Sequence, residues 1–375
     1  MFLALRELTF ARGRFALMGS VVALIAVLMV LLSGLSVGLV NDGVSGLKKL
    51  PVTSFAFQKD IATDSAFSRS LVPTSAVQTW AEQPGVDDAA PFGNALINGR
   101  TDTGMDIDLA LFGVEPGSFV SPTATSGSSL SGTPGELVIS ETAAEDGLAI
   151  GDTVTVEPLG TRLRVVGILD GQSTFGHVDV AYVPLSTWQE IRAGARPGEP
   201  VAPRVYDDIT AVAVNAGDTV DLPAGDSTAG TTSLTLTESF GASPGYTAET
   251  STLALIQAFL YAISALVIGA FFTVLTIQRR QEIAVMRALG AGTGYLLRDS
   301  LMQSLILLVA SAAAGIGIGV GLGAAIGSTP MPFALETGSI AVAGALLIVC
   351  GMAGAAIAVL RITRVDPLTA LGGNR

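Results

Sequence analysis

FALMGSVVALIAVLMVLLSGLSVGLVN is the sequence of residues 15–41, and it contains no Asp, Glu, Lys, Arg or His. A helix needs about 20 residues to cross the hydrocarbon core of a bilayer, so this stretch predicts a membrane-spanning helix. Three further uncharged stretches follow at 250–278, 300–335 and 337–360. With 49% hydrophobic and 14% charged residues, the chain is also more apolar than an ordinary soluble protein. We therefore expect four membrane-spanning helices.

The first stretch has one feature of a signal peptide, because Arg6, Arg12 and Arg14 precede its apolar core. That core is longer than the core of a signal peptide, and no small-residue cleavage pattern follows Ser36. The stretch is therefore predicted to remain in the protein as a helix.

The basic residues indicate how the spans are oriented. Segments 1–14, 279–299 and 361–375 hold 10 of the 20 Lys and Arg residues but only 4 of the 32 Asp and Glu residues, a net charge of +6. The rest of the chain holds 10 basic and 28 acidic residues, a net charge of −18. Since basic loops stay in the cytoplasm, both termini and 279–299 are expected there. The acidic remainder is expected outside, and its charge disfavours nucleic acid as a partner.

These patterns predict an integral membrane protein with four transmembrane α-helices and an α+β extracytoplasmic domain inserted after the first. The expected segments are a cytoplasmic amphipathic N-terminal helix at 1–14, a first span at 15–41, the extracytoplasmic domain at 42–249, a second span at 250–278, a cytoplasmic coupling helix and loop at 279–299, a third span at 300–327, a short outer loop at 328–338, a fourth span at 339–360 and a cytoplasmic tail at 361–375.

Short β-branched runs separated by Gly, Pro, Asp and Ser indicate that the inserted domain mixes strands and helices. Strands are predicted at 136–140, 152–157 and 162–169. Helices are predicted at 140–148 with Ser140 as N-cap, at 73–83 with Trp80 as an anchor, and at 184–192 with Trp188 as an anchor. Loops are predicted at 122–134 and 194–203.

The sequence contains no pattern typical of catalysis, metal binding or nucleotide binding. His177 is the one histidine, and Cys350 in the fourth span is the one cysteine, which excludes paired-histidine and cysteine-cluster metal motifs. Residues 43–49 include glycine and lysine but lack the spacing of a phosphate-binding loop. We therefore expect no enzyme activity in this chain. His177 is expected to be a surface or loop residue of undefined role.

A basic amphipathic helix is predicted where the second span ends. Its apolar residues recur at helical spacing, its charged residues can face water or lipid headgroups, and it ends at Gly290. The apolar residues are Ile283, Met286 and Leu289, and the charged residues are Arg279, Arg280, Glu282 and Arg287. A basic stop-transfer end is the alternative, although it requires neither an ordered apolar stripe nor a terminal glycine.

This segment resembles the loop after the second span in FtsX-like or MacB-type permeases of ATP-binding cassette systems. That loop typically reads Arg-Arg-x-Glu-Ile-x-x-x-Arg-Ala-Leu-Gly-Ala, and residues 279–291 read Arg-Arg-Gln-Glu-Ile-Ala-Val-Met-Arg-Ala-Leu-Gly-Ala. The tail at 364–371 and the stretches at 138–144, 148–154 and 166–169 are also similar to the family. The resemblance thus covers nearly the whole chain.

The resemblance implies a homodimeric permease subunit of the bacterial cell membrane, without an ATP site of its own. ATP and Mg²⁺ would bind a separate cytoplasmic ATPase dimer, which would push on the coupling helix and thereby move the spans and the outside domain. Many members carry a glutamate early in the third span, where this chain has Gln303 and Ser304. No role of that glutamate is therefore carried over.

Four glycines recur every fourth residue in the third span. Small residues on one helix face allow the backbone of a neighbouring helix to approach closely, so these glycines are expected to pack against another span. Passage of a substrate along this face is the alternative. The four residues are Gly315, Gly319, Gly323 and Gly327.

Two carboxylates lie at the starts of spans, Glu249 before the second and Glu336 before the fourth. Both suit a helix N-terminus, where the helix dipole favours an acid. Glu249 supports a sharper hypothesis, because Tyr246 is near it in sequence and no Lys or Arg in 205–278 could neutralise it. In a dimer, two copies of Glu249 could face each other, and their oxygens, with Tyr246, could ligate the iron of haem.

Within the family that this chain resembles, the HrtB-like branch extrudes haem from the membrane, which makes haem the leading substrate. The permease itself is expected to hold no cofactor. The alternatives are an exporter of lipids, peptides or antibiotics, and an FtsX-like regulator that activates a cell-wall hydrolase without transport. The role of Glu336 stays open.

Overall fold

A computed structural model gives the fold of this chain as two compact units. Met1–Leu39 and Thr250–Arg375 form one unit, called the membrane unit below, and Val40–Glu249 form the other, called the inserted domain. The structure describes residues 12–217, 219–278, 292–329 and 331–363.

Four of the described helices are long and apolar enough to cross a membrane, and they are α1, α8, α9 and α10. The inserted domain lies between the first and second of them along the chain. This order confirms the predicted fold class. The helices are α1 (Arg12–Lys48), α2 (Ala66–Arg69), α3 (Ser75–Ala81), α4 (Glu141–Glu145), α5 (Leu185–Arg192), α6 (Leu222–Ala229), α7 (Leu236–Ser239), α8 (Tyr246–Gln278), α9 (Thr293–Ile326) and α10 (Thr337–Thr363).

All four long helices extend past the limits that hydropathy predicts, and two of these extensions lie in the inserted domain. Helix α1 ends at Lys48 rather than at residue 41, and α8 begins at Tyr246 rather than at residue 250. Val44 and Leu47 are fully buried in the core of the inserted domain, and the ring of Tyr246 packs edge-on against Phe240. Packing inside the inserted domain therefore stabilises helical turns that an uncharged stretch alone does not predict.

Glycines of α9 allow a close approach to α1 within the membrane unit. A Cβ atom at Gly315 would clash with the carbonyl oxygen of Ala23, and a Cβ atom at Gly319 would lie 2.8 Å from the Cβ atom of Val30. Neither position has room for a Cβ atom, so only glycine fits at residues 315 and 319. The contact has the geometry expected of a small-residue face between two spans.

The other glycines of α9 differ in what surrounds them. A Cβ atom at Gly323 would lie 2.9 Å from the ring of Phe333, which precedes α10, whereas the nearest atom to a Cβ at Gly327 is 3.4 Å away. Gly317 and Gly321 have nothing within 4 Å of an added Cβ. Gly315, Gly319 and Gly323 are thus close-packed positions, and Gly327 has only ordinary contacts.

The inserted domain is built on a mixed sheet of 11 of the described strands, and β2 and β11 form a separate pair. The strands are β1 (Ser54–Gln58), β2 (Val72–Pro73), β3 (Val86–Thr101), β4 (Asp106–Val114), β5 (Ser126–Gly127), β6 (Glu136–Ile139), β7 (Thr153–Glu157), β8 (Thr161–Ile168), β9 (Thr174–Phe175), β10 (Val178–Pro184), β11 (Asp208–Ile209), β12 (Ala211–Ala216) and β13 (Thr231–Thr235).

The large sheet closes on itself in part. Its order is β13-β1-β12-β3-β4-β10-β6-β8-β5, and β7 pairs with both β3 and β8. Strands β3, β4, β10, β6, β8 and β7 therefore form a closed ring. Strand β10 is parallel to β4, and β6 is parallel to β8, while β9 and β10 form an antiparallel hairpin.

Two buried clusters hold the inserted domain together. One is rich in aromatic rings, among them Phe67, Phe92 and Phe112, which pack against neighbouring rings in edge-on or tilted geometry. The other contains Trp80 and Trp188, and both indoles are fully buried as expected of anchors. Each such ring contributes about 2 to 3 kcal/mol of hydrophobic stabilisation, so the domain has a core without any disulfide.

The local predictions for the inserted domain compare closely with the described elements. Strands β6, β7 and β8 coincide with the three predicted strands to within one residue at each end. The hydroxyl of Ser140 accepts a hydrogen bond from the backbone N–H of Ala143, which confirms the N-cap. The predicted loop at 122–134 is wrong in part, because it contains β5, which pairs with β8. Gly127 (φ 79°) supplies a conformation that favours glycine.

Candidate functional site

The candidate site is a row of three side chains in the inserted domain: Asp42, His177 and Glu249. Asp42 lies near the end of α1, and Glu249 lies in the first turn of α8. Nδ1 of His177 is 2.8 Å from Oδ2 of Asp42, and Nε2 is 3.1 Å from both carboxylate oxygens of Glu249. One imidazole thus contacts acids on two different helices.

A tight hairpin turn places the imidazole. Phe175 pairs with Val178, so Gly176 and His177 form a two-residue turn between β9 and β10. Both turn residues have positive φ, 59° and 66°, as a type I′ turn requires. Such a φ is uncommon for a residue other than glycine, and His is among the residues that tolerate it. The twist of the hairpin therefore compensates for an unfavourable backbone conformation at His177.

Backbone contacts fix this turn to the helix that carries Asp42. The backbone N–H of Gly176 donates to the carbonyl oxygen of Gly43 at 2.9 Å. The hydroxyl of Ser243, which lies just before α8, donates to the same oxygen at 2.9 Å. The end of α1, the β9–β10 turn and the segment before α8 are thereby held together at one point.

The row favours a protonated imidazole. Burial lowers the pKa of His177, but the hydrogen bond to Asp42 and the negative charges of Glu249 and Asp42 outweigh burial, so the pKa is raised above its ordinary value. A protonated ring donates from both nitrogens, which matches the two acceptor carboxylates. The side chains are 30%, 23% and 34% exposed for His177, Asp42 and Glu249, so water still reaches all three.

His177 lies in a loop, as expected, but its ring is paired with two acids, which the sequence did not predict. Residues 205–278 contain no Lys or Arg to neutralise Glu249, but His177, from outside that range, lies within ion-pair distance of its carboxylate. No sequence signal could have found the pair, since 72 residues separate the two side chains and a lone histidine has no motif.

The row is a hydrogen-bonded chain and not a metal cage. Among the residues that the structure describes, no three His, Cys, Asp or Glu side chains are arranged to hold a metal ion. His177 lies between the two acids, so their oxygens do not converge on a common point. The ring of Tyr246, three residues before Glu249, packs on Phe240 at a centroid distance of 6.2 Å.

Two further sets of residues stand out in the sequence, those at the position of the family's third-span glutamate and those of the predicted coupling helix. Gln303 and Ser304 are buried in α9, where the amide of Gln303 donates to Asp299 and the hydroxyl of Ser304 donates to the carbonyl oxygen of Ser300. The predicted coupling residues lie outside the described residues. They are Arg279, Arg280, Glu282, Ile283, Met286, Arg287, Leu289 and Gly290.

Two family models match the chain. The model of the FtsX-like permease C-terminal region matches residues 253–367, and the model of the MacB-like periplasmic core domain matches residues 15–227, more than half of the chain.

Several curated proteins are similar over their whole length. A putative hemin transport system permease protein, HrtB, of Staphylococcus epidermidis is 25% identical over 378 residues, which cover 100% of this chain and 99% of that protein. The protein of the same description from Staphylococcus haemolyticus is 24% identical, with 99% of each chain covered. An uncharacterized ABC transporter permease of Mycobacterium tuberculosis is also 24% identical, over 100% of this chain and 99% of its own.

Solved structures resemble the chain over about half its length. The periplasmic region of MacB from Actinobacillus actinomycetemcomitans is 16% identical, with a TM-score of 0.37, and covers 50% of this chain and 91% of its own. The extracellular domain of YknZ from Gram-positive bacteria is 14% identical, with a TM-score of 0.35, and covers 49% of this chain and 98% of its own. On the family models and the arrangement of four apolar helices around one inserted α+β domain, the chain belongs to the MacB- and FtsX-type permeases of ABC transporters.

Proposed function

We propose that this permease expels haem from the membrane, using movement driven by a separate ABC ATPase. The observation that carries the proposal is the carboxylate of Glu249, which lies at the start of a membrane-spanning helix and is about one-third exposed. The full-length relatives described as hemin transport permeases support haem as the substrate.

The ion pair between Glu249 and His177 is weak enough for a ligand to replace the imidazole and to leave again. Its carboxylate is held by His177 through hydrogen bonds of 3.1 Å, and at partial exposure such a pair is worth about 1 kcal/mol or less. An incoming iron could therefore displace the imidazole at little cost. In a homodimer two copies of Glu249 would supply one oxygen ligand on each side of the haem, with Tyr246 as an additional oxygen donor.

Energy would reach this site from the cytoplasm. We place both termini and residues 279–299 on the cytoplasmic side, because they carry the excess of basic residues. The basic segment at 279–291, predicted from the sequence to be a helix, would receive the ATPase dimer, which would hold ATP and Mg²⁺. Closure of that dimer would move α8 and α9, the helices that flank the segment, and so change the surroundings of Glu249.

Haem titration tests the substrate. The purified protein in detergent is mixed with hemin, and the Soret band is followed for the wild type, Glu249→Gln and the control Glu115→Gln, an exposed acid of the inserted domain. We expect a Soret shift in the wild type and in the control. In Glu249→Gln the affinity for haem should be about tenfold lower, which corresponds to a loss of about 1.4 kcal/mol of binding free energy. Size-exclusion chromatography verifies that each variant is folded.

Two outcomes would overturn the proposal. The first is a wild type that leaves the Soret band unchanged, which would exclude haem as the substrate. The second is a Glu249→Gln variant that binds haem as tightly as the wild type, which would exclude Glu249 as the ligand.

A further inference from the structure

A second polar site lies within the membrane unit and shares no residue with the row of Asp42, His177 and Glu249. A cavity of about 430 Å³ opens between α1, α8 and the start of α10. Its volume is in the range of pockets that bind small molecules. The polar side chains around it are Ser33, Ser36, Gln257, Tyr261, Glu336 and Ser339.

Several of these polar groups have no hydrogen-bond partner within the described part of the chain. Ser33 is only 7% exposed, yet its hydroxyl bonds to no described residue. The side chains of Ser36, Gln257 and Tyr261 also form no hydrogen bond to a described residue. A polar group in an apolar environment costs free energy unless a partner is supplied. Four hydrogen-bonding groups without a described partner therefore line one cavity, and they can bond to a molecule that enters it.

The charge of the cavity is negative. Glu336 is the one charged residue that lines it, and no Lys, Arg or His is among the lining residues. Its carboxylate accepts a hydrogen bond of 2.7 Å from the hydroxyl of Ser339 and enters no ion pair with the residues that the structure describes. A carboxylate beside an apolar cavity attracts a cation and repels an anion.

The rest of the wall suits an apolar body. Met29, Leu32, Leu260, Val342 and Leu346 line the cavity together with the polar groups. The ring of Tyr261 adds an aromatic surface, and a cation within about 6 Å of such a ring is attracted to its face. The wall thus combines a negative group, hydroxyl and amide partners, and hydrocarbon.

We propose that this cavity binds the cationic head of a membrane-partitioned amphiphile, with Glu336 as the counter-charge and Ser33, Gln257 and Tyr261 as hydrogen-bonding or aromatic partners. The site goes beyond haem expulsion. It uses none of the row of Asp42, His177 and Glu249, and its negative charge disfavours the anionic propionates of haem. The permease would therefore recognise a second class of molecule, of opposite charge to the haem periphery.

Two ions of nearly equal size and opposite charge test this inference. The full chain is purified in dodecyl maltoside, a detergent without a charged group, and the saturable binding of tetraphenylphosphonium and of tetraphenylborate is measured. We expect saturable binding of the phosphonium cation alone, weakened about fivefold or more in Glu336→Gln, as expected for the loss of an ion pair. Glu249→Gln, which is expected to lose haem affinity, should bind the cation as the wild type does.

A second variant tests the same site in case Glu336→Gln does not fold. Tyr261→Leu keeps the apolar volume but removes the aromatic face and hydroxyl, and it should also weaken cation binding. Phosphatidylethanolamine added to the same detergent micelles identifies the source of the cation. Competition with the phosphonium would indicate a lipid ammonium group as the natural occupant, and no competition would indicate a non-lipid cation.

Three results would overturn the inference. They are equal binding of the borate anion, absence of saturable phosphonium binding, and phosphonium affinity unchanged in both Glu336→Gln and Tyr261→Leu. Because the haem titration depends on Glu249, failure of either proposal leaves the other intact.

Discussion

Nε2 of His177 lies 3.1 Å from both carboxylate oxygens of Glu249, while the other ring nitrogen is bonded to Asp42. A single imidazole thus joins the end of α1 to the first turn of α8 inside the inserted domain. The backbone bonds to Gly43 hold the same three segments together. Any movement that separates these helix ends has to break this set of bonds.

The row should make stability depend on pH. The pKa of His177 is raised in the folded protein, so the bound proton stabilises the fold. This contribution is complete below the unfolded pKa of about 6.5 and is lost as the pH rises through the higher folded value. We expect His177→Asn to lower the Tm of the inserted domain by about 2 °C at pH 6, because the lost interaction is worth about 1 kcal/mol or less. The loss of Tm should be smaller at pH 9.

Thermal unfolding of the detergent-purified protein at both pH values measures this effect. Glu115→Gln serves as the control, since it removes an exposed acid outside the row. Equal losses of Tm at pH 6 and pH 9 would show that the proton on His177 does not stabilise the fold.

Glycines on α9 should differ sharply in their tolerance of a side chain. Gly315→Leu inserts atoms against the backbone of Ala23, which cannot move aside, so we expect a loss of about 3 kcal/mol or no folded protein. Gly317→Leu, two residues away, meets open space and should be tolerated. Fluorescence-detected size exclusion and Tm in detergent separate the two cases. Similar behaviour of both variants would contradict the close contact between α1 and α9.

The core of the inserted domain offers a second glycine test. A Cβ atom at Gly113 would clash with the side chain of Trp188, so Gly113→Ala should cost about 1 to 3 kcal/mol and change the tryptophan emission. Gly217→Ala is the matched control, because an added Cβ there has nothing within 4 Å. Urea unfolding followed by fluorescence measures both. A Gly113→Ala variant as stable as the control would mean that the indole can shift without cost.

The predicted coupling helix can be tested against the stop-transfer alternative. Met286→Asp places a charge in the apolar stripe and should abolish stimulation of the ATPase by the permease, because the partner would lose its apolar contact. Haem affinity, measured by the Soret band, should be unchanged. Gln281→Ala is the control outside the stripe. Normal ATPase stimulation in Met286→Asp would favour a basic stop-transfer end without a coupling role.

Much of this protein is determined by local sequence. Four uncharged stretches predict four spans, because lipid offers no partner for charges or for unsatisfied backbone groups. Runs of β-branched residues predict β6, β7 and β8 closely, and Ser140 before Glu141 predicts a helix start, because these signals act over a few residues. The spacing of Gly315 and Gly319 likewise predicts a packed helix face.

Only the tertiary structure decides which distant groups meet. The ring of strands closed by β7, the extension of α1 to Lys48 and the pairing of His177 with Glu249 all join segments far apart in the chain. Sequence carries no local mark of such contacts, because a lone histidine or a valine at a helix end is compatible with many environments. Composition and periodicity predicted the four apolar helices and the fold class, whereas long-range packing placed the imidazole of His177 on the carboxylate that we propose as the haem ligand.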